Sequence, residues 1–141
     1  MKNDLCYPIG EFDRNYEVSS AARESRIATI INLPAAVADA VSGLTDAQLD
    51  TEYRPGGWTV RQTVHHIADS HSNSLTRFKL ALTEDDPPTI RPYHEERWAE
   101  LGDSKLPVDE SLKMIKAIHQ RRLLLAGILS LLKKPNDMQE V

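Results

Sequence analysis

Apolar residues recur every three or four positions over three long stretches of the chain, and this spacing predicts three amphipathic helices. The first helix begins at Ser19 or Ser20, either of which can cap it, and it can end at Gly43. Pro34 lies inside this stretch, and a proline removes one backbone hydrogen bond from a helix. We therefore expect the first helix to be kinked or divided in two.

The second helix has the strongest of the three patterns and follows a polar connection over residues 45–57. Thr59 and Gln62 form a capping box, in which the hydroxyl accepts from the amide of position 62 and the glutamine side chain reaches back. The helix is therefore predicted to begin near Val60 and to run to about Glu84. Its apolar stripe comprises Val60, Val64, Ile67, His71, Leu75, Phe78 and Leu82.

A long crossover separates the second helix from the third. It spans residues 87–107, and we expect two helical turns over residues 94–101. Trp98 is expected to anchor this segment on the bundle, because a large aromatic ring seeks an apolar surface. The third helix is predicted from about Asp109 to Lys133.

The third helix is apolar around most of its circumference over residues 123–132. Two partner helices would cover such a surface poorly, so a further helix must come from another chain or be missing from this one. The expected fold is all-α, a single domain over residues 1–141 built as an up-and-down helical bundle. We also expect a homo-oligomer formed through this exposed face.

Composition and charge limit the kinds of binding partner and the cellular compartment that we expect. A net charge of −4 offers no basic surface for nucleic acid. The longest apolar run, residues 123–132, is half the length that a membrane span needs. The N-terminus lacks the apolar core of a signal peptide, and the single Cys6 fits a reducing compartment, so a cytoplasmic protein is expected.

Three histidines lie close together in the second helix, but they do not share one face. At about 100° per residue, His71 falls in the apolar stripe, whereas His66 lies roughly 150° away on the polar face. His65 belongs to neither face. Pattern alone therefore favours a core histidine at 71 and a solvated one at 66, and it gives little role to His119 in the third helix. His94 in the crossover is expected to be exposed.

Several sequence motifs occur together in an order that resembles one family. They are "CYPIGEF", "LTDAQLDTEYRPGGWTVRQTVHHIADSHSNSLTRFKLALTE", "IRPYHEERWAELGDSK" and "IHQRR". In these motifs the chain resembles the YfiT-like branch of the DinB-like family, a family of metal-dependent hydrolases and thiol transferases. The resemblance extends to about Leu132. It implies a four-helix bundle whose fourth helix is missing from this chain.

The resemblance also implies a metal site, with one ligand on the second helix eight residues after a tryptophan. Trp58 and His66 match that spacing, so His66 is the expected ligand of zinc or nickel. His119, Asn73 and Arg77 are expected to line the same cleft, where Asn73 and Arg77 could orient an anionic substrate. The family's other two ligands lie on the fourth helix, and no residue of this chain matches them.

By the same resemblance the expected function is hydrolysis, in which a metal-activated water attacks a small-molecule substrate. Two alternatives stay open. One is transfer of a bacillithiol-type thiol to an electrophile, and the other is a truncated, non-catalytic bundle that acts through association. The substrate is not readable from the residues, because proteins that share a scaffold differ in their clefts.

Overall fold

The computed structural model describes residues 5, 7, 10, 11, 13, 19–86 and 88–132, and of residues 122–132 it describes the backbone alone. The elements of the bundle are α1 (Ser20–Val41), α2 (Asp46–Leu49), α3 (Val60–Thr83), α4 (Glu95–Ala99), a 3₁₀ helix (Gly102–Lys105) and α5 (Val108–Leu132). Outside the helices, one isolated backbone pairing joins Glu52 to Thr59. The all-α prediction is confirmed.

The first long helix, α1, forms one continuous helix of 22 residues. It begins after Ser19, whose hydroxyl accepts a hydrogen bond from the amide of Ala22 at 3.1 Å. Beyond its end, Gly43 has a φ of 75°, a left-handed conformation that favours glycine. The helix runs unbroken through Pro34, so of the two predicted outcomes, a kink or a division, the division does not occur. One missing backbone donor does not end a helix that packs along α5.

The connection between α1 and α3 contains a short helix that the sequence pattern missed. In α2, Thr45 and Gln48 form a capping box in which the Thr45 amide donates to the glutamine oxygen at 2.9 Å. The chain then turns through Gly56, which has a φ of 69°, before it reaches the start of α3. The connection thus places a second capped helix beside the first turn of α3.

The predicted second helix corresponds to α3, and the structure confirms both of its ends. Thr59 accepts from the Gln62 amide at 3.1 Å, and Gln62 accepts from the Thr59 amide at 2.9 Å. The helix ends at Thr83, one residue before the predicted boundary. The Gln62 side chain also donates to the Ala99 carbonyl at 2.8 Å and so fixes the crossover against the start of α3.

The crossover folds as two short elements, α4 and the 3₁₀ helix, where one two-turn helix was expected. Trp98 is 38% exposed, and its ring lies 4.4 Å from that of Tyr93 in the same crossover. The buried residue of α4 is the small Ala99, which lies beside Gln62. The expected anchoring through Trp98 stays a prediction, and the contact that the structure shows between α4 and α3 is the hydrogen bond at Ala99.

The core forms where α5 packs against both α1 and α3. Ile115 is fully buried there, and the buried residues that cluster with it are Val41, Leu49, Val64, Ala68 and Val108. The start of α5 at Val108 confirms the predicted third helix within one residue. Its expected apolar face over residues 123–132 lies outside the described side chains. None of the described helices is both long and apolar enough to cross a membrane.

On the side away from α5, α1 and α3 leave an open apolar groove of about 440 Å³ between them. Val37 and Ala40 of α1 line it, together with Val60 and Ile67 of α3. Tyr53 of the connection lies at the same groove and is half exposed. This α1–α3 groove is an apolar surface that the described elements leave uncovered.

Candidate metal centre

His65 is held as a structural link by both nitrogens of its ring. The carbonyl of Leu106, 3.0 Å from Nε2, can only accept, so Nε2 carries a proton. In the neutral ring, Nδ1 then accepts from the Ser111 hydroxyl at 2.7 Å. These two bonds tie α3 to α5 and to the segment that leads into it, and they leave His65 no nitrogen for a ligand.

His71 and His119 bond to each other across the bundle. His119 is 1% exposed, and its Nδ1 donates to the carbonyl of Ile30 in α1 at 2.8 Å. Its Nε2 lies 2.6 Å from Nδ1 of His71, so in neutral rings His71 donates and His119 accepts. The interpretation of His71 as a hydrogen-bonded histidine of the apolar side is confirmed. No described contact joins His119 to His66, and its lining role stays a prediction.

His66 differs from these three histidines in its hydrogen bonding. It lies half-buried on the polar side of α3, with its ring centroid 4.6 Å from that of Trp58 and the two planes tilted by 56°. Within the described residues, neither of its ring nitrogens makes a hydrogen bond. Of the histidines on α3 and α5, His66 is therefore the one whose nitrogens are available to a ligand.

Asp69 lies one turn after His66 on the same side of α3, and the sequence analysis did not single it out. Its carboxylate is half-buried and has no hydrogen bond or ion pair among the described residues. Burial raises the pKa of Asp69, and the charge of Asp103 in the 3₁₀ helix raises it further, while His66 and His65 act in the opposite direction. The sequence signal that could have drawn attention to Asp69 is its position three residues after His66 on the same helix.

The two other predicted cleft residues of α3 both contact backbone carbonyls. Asn73 donates to the carbonyl of Asp69, one turn earlier in its own helix, at 3.0 Å. Arg77 donates to the carbonyl of Arg91 at 3.3 Å and so holds the crossover near the helix. The structure therefore gives Arg77 a structural contact, while the role of either residue toward a substrate stays a prediction.

A cleft of about 570 Å³ opens where α3 begins, and its walls come from α3, the crossover and the end of α2. Its lining residues are Asp50, Thr59, Arg61, Gln62, Ala99, Glu100, Ser104 and Lys105. His66 is not among them. The cleft thus adjoins the polar side of α3 at the end that precedes His66.

The charge of Arg61 in this cleft is already compensated by the protein. Arg61 is 7% exposed, and its guanidinium bonds to Asp50 at 2.7 Å and to Asp46 at 2.8 Å. The hydrogen bond from Arg61 lowers the pKa of Asp50, and the same two carboxylates raise the pKa of Arg61. Arg61 therefore connects α2 to α3 and does not offer a free charge to a substrate.

The donors near His66 fit a divalent metal in type but not in number. Imidazole is a ligand that both zinc and nickel accept. Catalytic zinc sites take about three protein ligands, whereas the described residues contain no group of three histidine, cysteine or carboxylate side chains that could hold an ion. A complete site would need donors from outside the described part.

Comparison with known proteins gives the family. A model of the DinB superfamily matches residues 30–134. A protein of Bacillus cereus (strain AH820) and one of Bacillus anthracis (strain A0248), both named "Putative metal-dependent hydrolase", are 56% identical to the chain over 119 residues. The matched segment covers 84% of this chain and 68% of each relative, so the relatives are longer.

A solved structure agrees with the sequence matches. It is described as "YfiT from Bacillus subtilis is a probable metal-dependent hydrolase with an unusual four-helix bundle topology". It superposes with a TM-score of 0.81 at 48% identity, and the match covers 89% of this chain and 71% of that chain. With a family model that spans most of the chain, these similarities show that the chain belongs to the DinB superfamily.

Proposed function

We propose that this chain is a metal-dependent hydrolase of a small-molecule substrate, in which His66 is a ligand of a divalent ion. The observation that carries the proposal is the state of His66, since its ring nitrogens alone among the histidines of α3 and α5 make no described hydrogen bond. The names of the Bacillus relatives support the same reaction class.

The residues around His66 suit the proposed chemistry. A divalent ion supplies Lewis-acid chemistry when bound and lowers the pKa of water toward neutrality. The neighbouring ring of Trp58, 4.6 Å away, restricts the orientations open to the imidazole. Farther along the same side of α3, Asn73 and Arg77 would orient an anionic group of the substrate.

The proposal requires further ligands from outside the described residues. These would come from a second copy of the chain or from a longer chain of the length that the relatives have. Zinc and nickel are the proposed ions, because both accept imidazole ligands. A cytoplasmic location is also proposed, since the single Cys6 of the sequence fits a reducing compartment.

A metal titration tests this proposal. We expect the chelator-treated chain to bind zinc or nickel chloride in isothermal titration calorimetry, and His66→Ala to bind at least about tenfold more weakly because a ligand is lost. His94→Ala is the matched control, since His94 is an exposed histidine of the crossover. The proposal fails if the wild-type chain binds neither ion, or if the two alanine variants behave alike.

A second assay separates hydrolysis from thiol transfer. Nitrophenyl esters would be incubated with the zinc- or nickel-loaded chain, with and without added cysteine as a simple thiol. Turnover in water alone supports the hydrolase. Turnover that needs the thiol and yields a thiol adduct would instead favour the transferase, and metal binding without turnover would favour a bundle that acts through association.

A further inference from the structure

The charged side chains that line the cleft at the start of α3 balance one another. Two are acidic, Asp50 and Glu100, and two are basic, Arg61 and Lys105. Asp50 already compensates Arg61 through the contact at 2.7 Å. Glu100 and Lys105 are exposed, and in the described part of the chain they pair neither with each other nor with another charged group. The cleft therefore presents one unpaired carboxylate and one unpaired ammonium group to a ligand.

Three neutral side chains of the same cleft keep hydrogen-bonding capacity. The side-chain amide of Gln62 has two N–H groups, and the Ala99 carbonyl accepts from this amide at 2.8 Å, which uses one of them. The Thr59 hydroxyl accepts from the backbone amide of Gln62 at 3.1 Å and donates to no described acceptor. Ser104, which is 8% exposed, donates to the Trp98 carbonyl at 3.1 Å and keeps its acceptor capacity. The cleft thus has both donors and acceptors for a polar ligand.

The size and charge of the cleft favour a small molecule without a large net charge. Its volume of about 570 Å³ lies within the range of small-molecule sites. A third carboxylate, Asp46, bonds to Arg61 at 2.8 Å, so the surroundings are not cationic. A phosphate group carries about two negative charges at pH 7, and Glu100 would repel it. A ligand with one ammonium and one carboxylate group matches both unpaired charges, as electrostatic complementarity requires.

We propose that this cleft binds a small zwitterion, an amino acid or a short peptide with a free ammonium and a free carboxylate group. Lys105 receives the carboxylate and Glu100 receives the ammonium, while Gln62 and Ser104 supply a donor and an acceptor between them. The inference goes beyond the proposed function and does not depend on a metal, because His66 does not line the cleft.

A nuclear magnetic resonance titration of the ¹⁵N-labelled chain in the presence of EDTA tests the proposal. The probes are alanine, dialanine and trialanine, which differ in the separation of their two charges. We expect at least one to bind with a Kd of about 10 mM or below and to shift the amides of residues 99–105. Its N-acetylated form and its C-amidated form should each bind at least about threefold more weakly. If none of the three binds, or if the blocked forms bind equally well, the proposal is wrong.

Two variants assign each charge of the ligand to its partner. Lys105→Gln should weaken binding of the zwitterion by at least about threefold and leave binding of the amidated form unchanged, since that form has no carboxylate. Glu100→Gln should likewise weaken binding of the zwitterion and leave the acetylated form unaffected. Lys116→Gln in α5 and Glu96→Gln in α4 are the matched controls, because both residues are exposed and neither lines the cleft. Equal weakening by the cleft variants and the controls would overturn the assignment.

The presence of EDTA separates this inference from the proposed function. His66→Ala should bind the zwitterion as the wild type does. If the chain binds the zwitterion but neither zinc nor nickel, the inference stands and the metal-dependent function fails. If it binds a metal ion but no zwitterion, the inference fails and the metal-dependent function stands. Circular dichroism of each variant confirms that it is folded.

Discussion

Among single residues, Arg61 connects more of the structure than its position in the sequence indicates. Besides Asp46 and Asp50, its guanidinium reaches the Leu106 carbonyl at 3.3 Å, so one buried side chain links α2, α3 and the segment before α5. Such contacts between distant segments leave no trace in a periodic pattern. Sequence alone therefore could not distinguish Arg61 from a solvated arginine at the start of a helix.

We expect Arg61→Ala to lower the free energy of unfolding by about 2 kcal/mol at pH 7, because charge-assisted hydrogen bonds and a buried aliphatic stem are lost. Asp50 also makes the loss depend on pH. Its pKa in the folded protein is lowered from the usual 3.8, so its contribution is complete above about pH 4 and disappears as the pH falls through the folded-state pKa. The variant should lose less stability on acidification, and urea unfolding at several pH values measures both effects.

Lys113→Ala is the control for this experiment. Lys113 bonds to Glu110 at 2.7 Å, as short as the contact between Arg61 and Asp50, but the side chains of Lys113 and Glu110 are both about 70% exposed. Exposed pairs contribute little to stability, so its unfolding midpoint should not change measurably. If both variants lose stability equally, burial is not what makes the Arg61 link strong.

Among the elements, the sequence predicted the long helices well and the short ones poorly. In α3 an apolar stripe repeats over six turns and a capping box marks the start, so two signals agree. The four residues of α2 are too few for any periodicity, although Thr45 and Gln48 repeat the same cap. The division of the crossover depends on its contacts with α3, such as the Gln62 bond to Ala99.

In the candidate site, too, the sequence predicts features that depend on local spacing and misses those that depend on tertiary contacts. His66 could be singled out as a candidate ligand because its spacing from Trp58 is local and matches a family motif. The raised pKa of Asp69 could not be predicted, because it follows from burial and from the charge of Asp103 in another element. The use of both nitrogens of His65 likewise follows from tertiary contacts.

We expect Thr59→Ala to lower the free energy of unfolding by about 1 kcal/mol, because the cap of α3 is lost and the Gln62 amide is left without its partner. Thr76→Ala is the matched control within the same helix. The Thr76 hydroxyl bonds only to the Ser72 carbonyl of the preceding turn and is exposed, and alanine is the better helix former. Thermal unfolding followed by circular dichroism should show a lower midpoint for Thr59→Ala alone.

For the whole molecule, the α1–α3 groove is the feature that the described helices leave incomplete. The related YfiT structure is described as a four-helix bundle, whereas α1, α3 and α5 are three long helices. An uncovered apolar groove favours association, since covering it removes apolar area from water. The sequence-based expectation of a homo-oligomer through the third helix stays a prediction, because residues 123–132 lie outside the described side chains.

We expect the chain to be a dimer at micromolar concentration, with the α1–α3 groove within the interface. Ala36→Asp places a charge in the groove at an exposed position of α1 and should shift the mass toward the monomer. Ala28→Asp, at an exposed position of the same helix away from the groove, should leave the dimer intact. Light scattering after size exclusion measures the mass, and a wild-type monomer at all concentrations would contradict this expectation.

The contact of Trp58 with His66 has an optical consequence. The sequence contains two tryptophans, and one of them lies 4.6 Å from the candidate ligand while the other stacks near Tyr93. A protonated imidazole quenches indole fluorescence at such short range, and so does a bound nickel ion, whereas zinc lacks the partly filled d shell that quenching by nickel uses. The emission of Trp58 is thus an intrinsic reporter of the ion at His66, and it would distinguish bound nickel from bound zinc without any added dye.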